Sequence, residues 1–199
     1  MRFPFDYKKH FVPEQNSEDC VPACIAMAAM YWKSRMPKLA LPTKIDEWKS
    51  YFDELRVHSH RGTNLVMLKS ALKRLKKDGI GLSLRLIQPK HIADLTKLFE
   101  LKDPIPVILC YDRSMVINNF QGPNHASLFI TLDTWKEDVE VVDPSQVRRE
   151  SPMTYKIADF LKGWNQVQNL AILAFPSSVS VPLNMRDRNT LLPLESYRK

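Results

Sequence analysis

A cysteine at the start of a predicted helix is the residue of this chain best placed to act as a nucleophile. Cys20 lies in the stretch EQNSEDCVPACIAM, residues 14–27. Pro22 suits the first turn of a helix, where its missing N–H costs nothing, so Cys20 falls at or next to the N-cap. The positive end of the helix dipole and the unpaired N–H groups there favour the thiolate, which is the nucleophilic form of cysteine. Taken alone, this stretch fits a small buried cysteine beside a proline at least as well.

A thiolate nucleophile needs a base, and His125 is the best placed of the five histidines. It precedes the apolar stretch ASLFITL, and the chain returns as VEVVDP after a turn within residues 133–138. If this hairpin centres on Thr134, His125 lies opposite Asp143, with the two Cβ atoms roughly 5 Å apart; a centre one or two residues away, or a bulge, would shift this pairing. Pro144 would end the returning strand at that point. Asp143 would then fix the imidazole tautomer, whereas two unrelated polar residues in a capped hairpin are the alternative.

Gln15 is a candidate donor to a developing oxyanion. It precedes Cys20 by five residues. A side-chain amide close to the backbone N–H of Cys20 could bind the negative charge that forms on a carbonyl oxygen during nucleophilic attack. A lone glutamine in a polar loop has no functional meaning, so this prediction depends on the other three residues.

The remaining cysteines and histidines predict no metal site and no cofactor. Cys24 follows Cys20 by one helical turn in apolar surroundings, and Cys110 lies in the apolar strand VILCY, so both are predicted core residues. A metal site at Cys20 and Cys24 is disfavoured, because structural zinc usually takes the shorter C-x₂-C spacing and further ligands. His58 and His60 add only a loose suggestion of a ligand pair.

Composition predicts a single packed domain in a reducing compartment. The chain has 199 residues, of which 44% are hydrophobic and 26% are charged, and these values suit one globular core. No apolar run reaches the ~18 residues of a membrane span. The first residues, MRFPFDYKKH, lack the apolar segment of a signal peptide. The odd number of three cysteines does not resemble a disulfide framework, so a cytoplasmic protein with free thiols is expected.

The net charge of +7 limits the expected partners. Such a charge attracts acidic peptides, nucleic acid or anionic lipid without specifying one of them. The densest basic patch, LKSALKRLKKDG at residues 68–79, has leucines at helical spacing and fits an ordinary surface helix. It has no aromatic residues for base stacking. A peptide or protein substrate of acidic character is therefore expected, nucleic acid is not, and the sequence indicates no oligomeric state.

The order of the predicted elements indicates an α+β fold. Hydrophobic periodicity predicts helices over 21–33, 43–55, 65–77, 91–101 and 155–164. It predicts strands over 82–87, 106–111, 126–132, 139–142 and 170–175. Because helices come first and most strands later, N-terminal helices are expected to pack on a C-terminal antiparallel sheet. Residues 1–13 are expected to be extended, and residues 176–199 have no clear period.

The four candidate residues and their order resemble the papain-like cysteine peptidases of the bacteriocin-processing type, the double-glycine leader peptidases and their stand-alone relatives. The resemblance runs from residue 11 to about residue 175 and rests on Gln15, DCVPACIAM, NHASLFI and VVDPSQ. It implies a papain-like domain over residues 1–175, followed by a tail or arm over 176–199. It also implies that Cys20 is the nucleophile, His125 the general base and acid, Asp143 the residue that orients the imidazole, and Gln15 the oxyanion donor.

Two departures from the family pattern concern the substrate. The family usually has Gly directly after the nucleophile, whereas this chain has Val21, whose Cβ would crowd the site. Many members are fused to a membrane exporter, and no membrane segment is predicted here. The expected function is a stand-alone cysteine peptidase. Deamidation or transamidation by the same residues, and a non-catalytic binding module with a basic surface, are the alternatives.

Overall fold

Helices and one six-stranded antiparallel sheet make up the computed structural model of the chain, which describes residues 1–16, 19–53, 65–117, 124–146 and 151–181. The helices are α1 Tyr7–His10, α2 Cys20–Arg35, α3 Ile45–Asp53, α4 Leu65–Lys77, α5 Ala93–Thr96 and α6 Ile157–Gln166, with 3₁₀ turns at Lys97–Phe99 and Arg113–Met115. The strands are β1 Leu82–Ile87, β2 Val107–Tyr111, β3 His125–Asp133, β4 Asp138–Val142, β5 Met153–Lys156 and β6 Ala171–Pro176.

The strand order of the sheet is β1-β6-β2-β3-β4-β5, and every neighbouring pair is antiparallel. The sheet therefore confirms the predicted α+β class with N-terminal helices on an antiparallel sheet. The first residue of β3, His125, pairs with the last residue of β2, Tyr111. The same end of β3 lies beside the end of β4, because Leu128 pairs with Val142. This end of the sheet carries the candidate base and its carboxylate.

Helix α2 lies at the centre of the molecule and is buried along nearly its whole length. Its apolar residues surround the axis and do not form a single stripe, which is typical of a helix enclosed by other elements. Two contacts tie it to the sheet: Trp32 Nε1 donates to the carbonyl of Ala174 at 2.8 Å, and Cys24 Sγ donates to the carbonyl of Ala126 at 3.5 Å. These contacts hold the first residue of the helix, Cys20, against the end of the sheet.

Two short elements were not predicted from the sequence. The stretch over 153–156 is the edge strand β5, which pairs with β4 before α6 begins at Ile157. Helix α1 interrupts a segment predicted to be extended, because Asp6 Oδ1 accepts hydrogen bonds from the N–H groups of Lys8 at 3.0 Å and Lys9 at 3.3 Å. The helix predicted over 91–101 is also shorter, a turn of α-helix continued by a 3₁₀ turn.

The C-terminal boundary of the domain stays a prediction. Strand β6 ends at Pro176, and Val181 is still buried against the core. Residues 182–199 lie outside the described part of the chain, as do His58 and His60. Among the described residues, no helix has both the length and the apolar character that crossing a membrane requires.

Candidate active site

Cys20 is the first residue of α2, and Asp19 occupies the N-cap position. The helix is closed at this end by the N–H of Ala23, which donates to the carbonyl of Asp19 at 2.9 Å. The Cys20 side chain is 3% exposed and lies close enough to His125 to help raise the pKa of its imidazole. The structure therefore joins the helix start, where a thiolate is favoured, to a potential base.

His125 contacts Asp143 through its outer ring nitrogen. His125 Nε2 lies 2.8 Å from Asp143 Oδ1, and both side chains are buried. Because Nε2 is engaged by the carboxylate, Nδ1 is the nitrogen left for the Cys20 thiol. The other two carboxylates of the hairpin lie elsewhere: Asp133 Oδ1 accepts from the N–H groups of the turn at 3.1 Å, and Asp138 pairs with Lys156 at 2.7 Å.

The predicted hairpin register is wrong in detail, although the His125–Asp143 contact is present. Asp133 pairs with Asp138, so the turn does not centre on Thr134, and a bulge follows Phe129. Val142 pairs with Leu128, so the next step would place Asp143 across from Ser127. Side chains two residues apart on a strand point to the same face, and diagonal neighbours are within reach. Asp143 therefore reaches His125 diagonally, from the end of its strand.

Ser145 and Arg113 hold the Asp143 carboxylate in place. Oδ1 accepts from Ser145 N at 2.8 Å and from Ser145 Oγ at 2.7 Å, in addition to the imidazole. Oδ2 lies 3.3 Å from Arg113 Nη2. Neither residue was predicted from the sequence. A serine two positions after an aspartate is a recognisable Asx-turn pattern, whereas Arg113 lies on a separate 3₁₀ turn and has no local signal.

A close approach of α6 positions the 3₁₀ turn that carries Arg113. The N–H of Asp112 donates to the carbonyl of Gly163 at 3.0 Å. A Cβ added at Gly163 would collide with the carbonyl oxygen of Asp112 and lie 2.7 Å from Val116 Cγ2. Glycine is therefore required where this helix meets the turn.

The surroundings of His125 and Asp143 move their pKa values apart. Burial lowers the pKa of His125, but the hydrogen bonds from Asp143 and Cys20 outweigh burial and raise it to about 9. Burial alone would raise the pKa of Asp143, but hydrogen bonds with His125 and Ser145 and the charge of Arg113 lower it. At neutral pH the pair is thus an imidazolium held by a carboxylate, which can donate a proton to a leaving group.

A second buried carboxylate lies on the other side of Cys20. Asp19 is fully buried, and its Oδ2 accepts from Asn16 N at 3.2 Å and from Asn16 Nδ2 at 3.3 Å. Lys49 Nζ on α3 lies 3.1 Å from the same oxygen and donates to Gln15 Oε1 at 3.1 Å. Gln15 is exposed and is joined to the residue before Cys20 through this lysine. Ser17 and Glu18 lie outside the described residues.

Glu14 links the segment before Cys20 to the loop that carries Asp143. Its N–H donates to the carbonyl of Pro144 at 2.9 Å. Its side chain is partly buried, and burial raises the pKa of its carboxyl group. This backbone bond fixes the distance between the two loops that carry Gln15 and Asp143.

The other two cysteines differ from Cys20 in their surroundings. Cys24 is fully buried and Cys110 is partly buried, and all three cysteines are free. Burial raises the pKa of Cys24 well above its ordinary value and that of Cys110 to about 12. Both therefore remain neutral thiols at neutral pH. The described residues hold no group of three or more His, Cys, Asp or Glu side chains suited to a metal ion.

Val21, which directly follows Cys20, is a buried residue. Its side chain is 5% exposed and belongs to the hydrophobic core. It therefore packs into the protein at the first turn of α2.

Comparison with known proteins finds similarity at the level of structure. No protein-family model and no curated protein matches the chain. A crystal structure from Bacillus anthracis, of a protein provisionally named a C39-like peptidase, matches with a TM-score of 0.57 and 14% sequence identity. The match covers 90% of this chain and 100% of that chain. The chain therefore has a C39-like, papain-like cysteine peptidase fold.

Proposed function

We propose that this chain is a cysteine peptidase that hydrolyses a peptide or protein substrate with Cys20, His125 and Asp143 as its triad and Gln15 as an oxyanion donor. The observation that carries the proposal is the placement of three residues: Asp143 hydrogen-bonds to His125 at 2.8 Å, and Cys20, the first residue of a helix, lies close enough to His125 to help raise its pKa. The fold shared with a protein named a C39-like peptidase supports the same reaction class.

In the acylation step, the Cys20 sulfur attacks the carbonyl carbon of the scissile peptide. A C–S bond forms, and the π electrons of the carbonyl move to oxygen. When this intermediate collapses, the C–N bond breaks, and the His125 imidazolium gives its proton to the leaving amine. The product is a thioester on Cys20 and a free amine.

In the deacylation step, His125 is neutral and can accept a proton. It takes this proton from a water molecule, whose oxygen attacks the thioester carbonyl, and the Cys20 thiolate leaves. Asp143 keeps Nε2 of the ring as its hydrogen-bonded nitrogen throughout, so Nδ1 carries the proton in both steps. A carboxylic acid is released, and the thiolate–imidazolium pair returns.

The oxyanion of both steps needs donors near the sulfur. The backbone N–H of Cys20, in the first turn of α2, is one of the groups that a helix start leaves without an intrahelical acceptor. The amide oxygen of Gln15 is engaged by Lys49, so its NH₂ group is the part available to the substrate. Two donors at this position would stabilise the charge that develops on the carbonyl oxygen.

The proposed substrate is a peptide or protein of acidic character, because the chain carries a net charge of +7. Processing after a double-glycine leader is the specific form of this proposal that the sequence resemblance implies. A reducing compartment such as the cytoplasm suits a chain whose three cysteines are free.

A proteome-wide comparison of new N-termini, with the wild-type chain against Cys20→Ala, tests this function. We expect new N-termini that appear with the wild type alone, and cleavage after paired glycines would extend the assignment to leader peptides. Conversion of Gln or Asn side chains to acids, without new N-termini, would instead identify a deamidase. If neither product depends on Cys20, the peptidase proposal is wrong and the binding-module alternative remains.

A further inference from the structure

Lys49 lies on α3, which packs against the helix that begins with Cys20, and its amine reaches the segment before the proposed nucleophile. Its side chain is 16% exposed. The Nζ atom lies 3.1 Å from Gln15 Oε1 and 3.1 Å from Asp19 Oδ2, whereas Asp46 Oδ1 on its own helix is 4.0 Å away. The nearer contacts of Lys49 therefore face the site.

The contact with Lys49 determines which way the Gln15 amide faces. A lysine ammonium can only donate hydrogen bonds, so the Gln15 atom that meets it must be the carbonyl oxygen. The NH₂ group of Gln15 then points away from Lys49. Gln15 is an exposed loop residue, and an untethered side chain of this kind would occupy several rotamers. A positive donor on the oxygen also polarises the amide, which strengthens its N–H groups as donors.

The position of the ammonium is set by Asp19 and does not depend on Gln15. Asp19 is fully buried, directly precedes Cys20, and closes the turn with Asn16. A buried carboxylate without a partner is strongly destabilising, so Asp19 holds a cation at this point. Lys49 is that cation, at 3.1 Å. The buried Asp19 carboxylate therefore lies next to Cys20 in the chain and also holds the ammonium that contacts the Gln15 amide.

We infer that Lys49 is a positioning residue of the oxyanion hole: held by Asp19, its ammonium orients Gln15 so that the amide NH₂ faces the developing oxyanion. This inference rests on the proposed function, because it requires Gln15 to be the donor. Lys49 acts through Gln15 and does not touch the substrate. It should therefore affect the transition state more than substrate binding, and its effect should vanish when Gln15 is absent.

A double-mutant cycle on kcat and KM tests the inference, with a quenched fluorogenic peptide that carries a cleavage site found in the N-terminus comparison. We expect Lys49→Met to lower kcat about 10- to 100-fold with little change in KM, since a small misplacement of a catalytic group can have this effect. Lys49→Arg should restore most of the loss. Gln15→Ala/Lys49→Met should be no slower than Gln15→Ala alone, because the two residues act as one unit.

Two outcomes of the cycle would overturn the inference and leave the peptidase proposal standing. One is a wild-type kcat for Lys49→Met. The other is a loss in the double variant equal to the product of the two single losses, which would show that Lys49 acts without Gln15. A wild-type protein that cleaves no peptide would overturn the proposed function and, with it, this inference.

Two further variants separate positioning from folding. Lys44→Met removes the same charge from an exposed lysine just before α3 and should match the wild type. Lys49→Met removes the ammonium that contacts the buried Asp19, so Asp19→Asn/Lys49→Met removes the carboxylate charge as well and protects the fold. If Lys49 positions Gln15, the Asp19→Asn/Lys49→Met variant should keep the low kcat of Lys49→Met. Recovery of wild-type kcat would show that Lys49 only neutralises Asp19, and the inference would be wrong.

Discussion

The two sides of the candidate site contain the same two kinds of groups in opposite order. On the sheet side, fully buried Asp143 contacts His125, and Arg113 lies behind it at 3.3 Å. On the helix side, Lys49 contacts Gln15, and fully buried Asp19 lies behind it at 3.1 Å. Each side therefore holds a buried carboxylate paired with a cation, but a different member of the pair faces the site.

The reversal follows from the charge that each side would stabilise. An imidazolium on His125 is positive, so the group next to it is a carboxylate. An oxyanion is negative, so the amide that binds it is supported by a cation. In both pairs the cation compensates a buried carboxylate that would otherwise be strongly destabilising. The charge of the reacting group therefore determines which member of each pair faces the site, and burial of the carboxylate determines that a cation must lie beside it.

Removal of the proposed nucleophile should have the largest effect, because in the proposed mechanism both sides of the site act only through Cys20. We expect Cys20→Ala to lower turnover by about 10⁴-fold or more, the scale seen when a covalent nucleophile is lost. Peptide cleavage by the purified variants is the measurement. Cys110→Ala, which removes a thiol whose pKa is raised to about 12, is the matched control and should stay active. Equal losses in both variants would show that neither thiol is the nucleophile.

Loss of Gln15, the amide that Lys49 contacts on the helix side, should rank second. Gln15→Ala should lower kcat by roughly 10²–10³-fold with little change in KM, the usual range for one oxyanion donor. Gln15→Glu should be slower still, because it places a carboxylate where negative charge must form. Steady-state kinetics of the three proteins measure both parameters. Near-normal kcat for Gln15→Ala would mean that backbone groups alone bind the oxyanion.

Loss of the Asp143 carboxylate, the inner charge on the sheet side, should change the pH dependence of kcat/KM. The imidazolium of His125 exists below its raised pKa of about 9, so kcat/KM should fall as the pH rises through this value. Asp143→Asn removes the charge that raises this pKa, so the alkaline limb should move to lower pH. At neutral pH we expect a loss of up to about 10²-fold, within the range of general acid–base catalysis. An unmoved alkaline limb would contradict the assignment of Asp143.

Removal of Arg113, the outer cation on the sheet side, should have the smallest effect on turnover. The charge of Arg113 helps to lower the pKa of Asp143, so Arg113→Met should let this carboxylate protonate at higher pH. The acid limb of kcat/KM should therefore move to higher pH, with only a several-fold loss near neutrality. Arg113→Lys should return the limb toward the wild-type position. A shift that lysine does not rescue would indicate a purely structural role for Arg113.

Sequence patterns predicted the elements that have strong local signals. Helix α4 and strand β1 have the predicted bounds, because leucines at helical spacing, two glycines and an apolar strand follow one another. Strand β5 was missed because four residues at a sheet edge are defined by their pairing with β4 and not by their own composition. Helix α1 was missed because a single aspartate cap creates it.

The same distinction separates the predicted and missed residues of the site. Cys20 and His125 are the first residues of a helix and a strand, so both their side-chain chemistry and their positions in the predicted elements indicated a role. Arg113 and Lys49 are two of 29 basic residues, and only tertiary packing distinguishes them from the others. The bulge in the β3–β4 hairpin likewise had no signal in the sequence and shifted the predicted register.

The reactivity of Cys20 toward iodoacetamide tests the central claim most directly. Alkylation rates at neutral pH, followed for each cysteine by peptide mass spectrometry, would compare the wild type with His125→Ala. Burial keeps the pKa values of Cys24 and Cys110 high, so both should react slowly in either protein. If Cys20 and His125 form a reactive pair, Cys20 should react at least about tenfold faster than Cys110 in the wild type and lose this advantage in His125→Ala. A Cys20 that reacts no faster than Cys110, or that reacts equally fast without His125, would contradict this pairing.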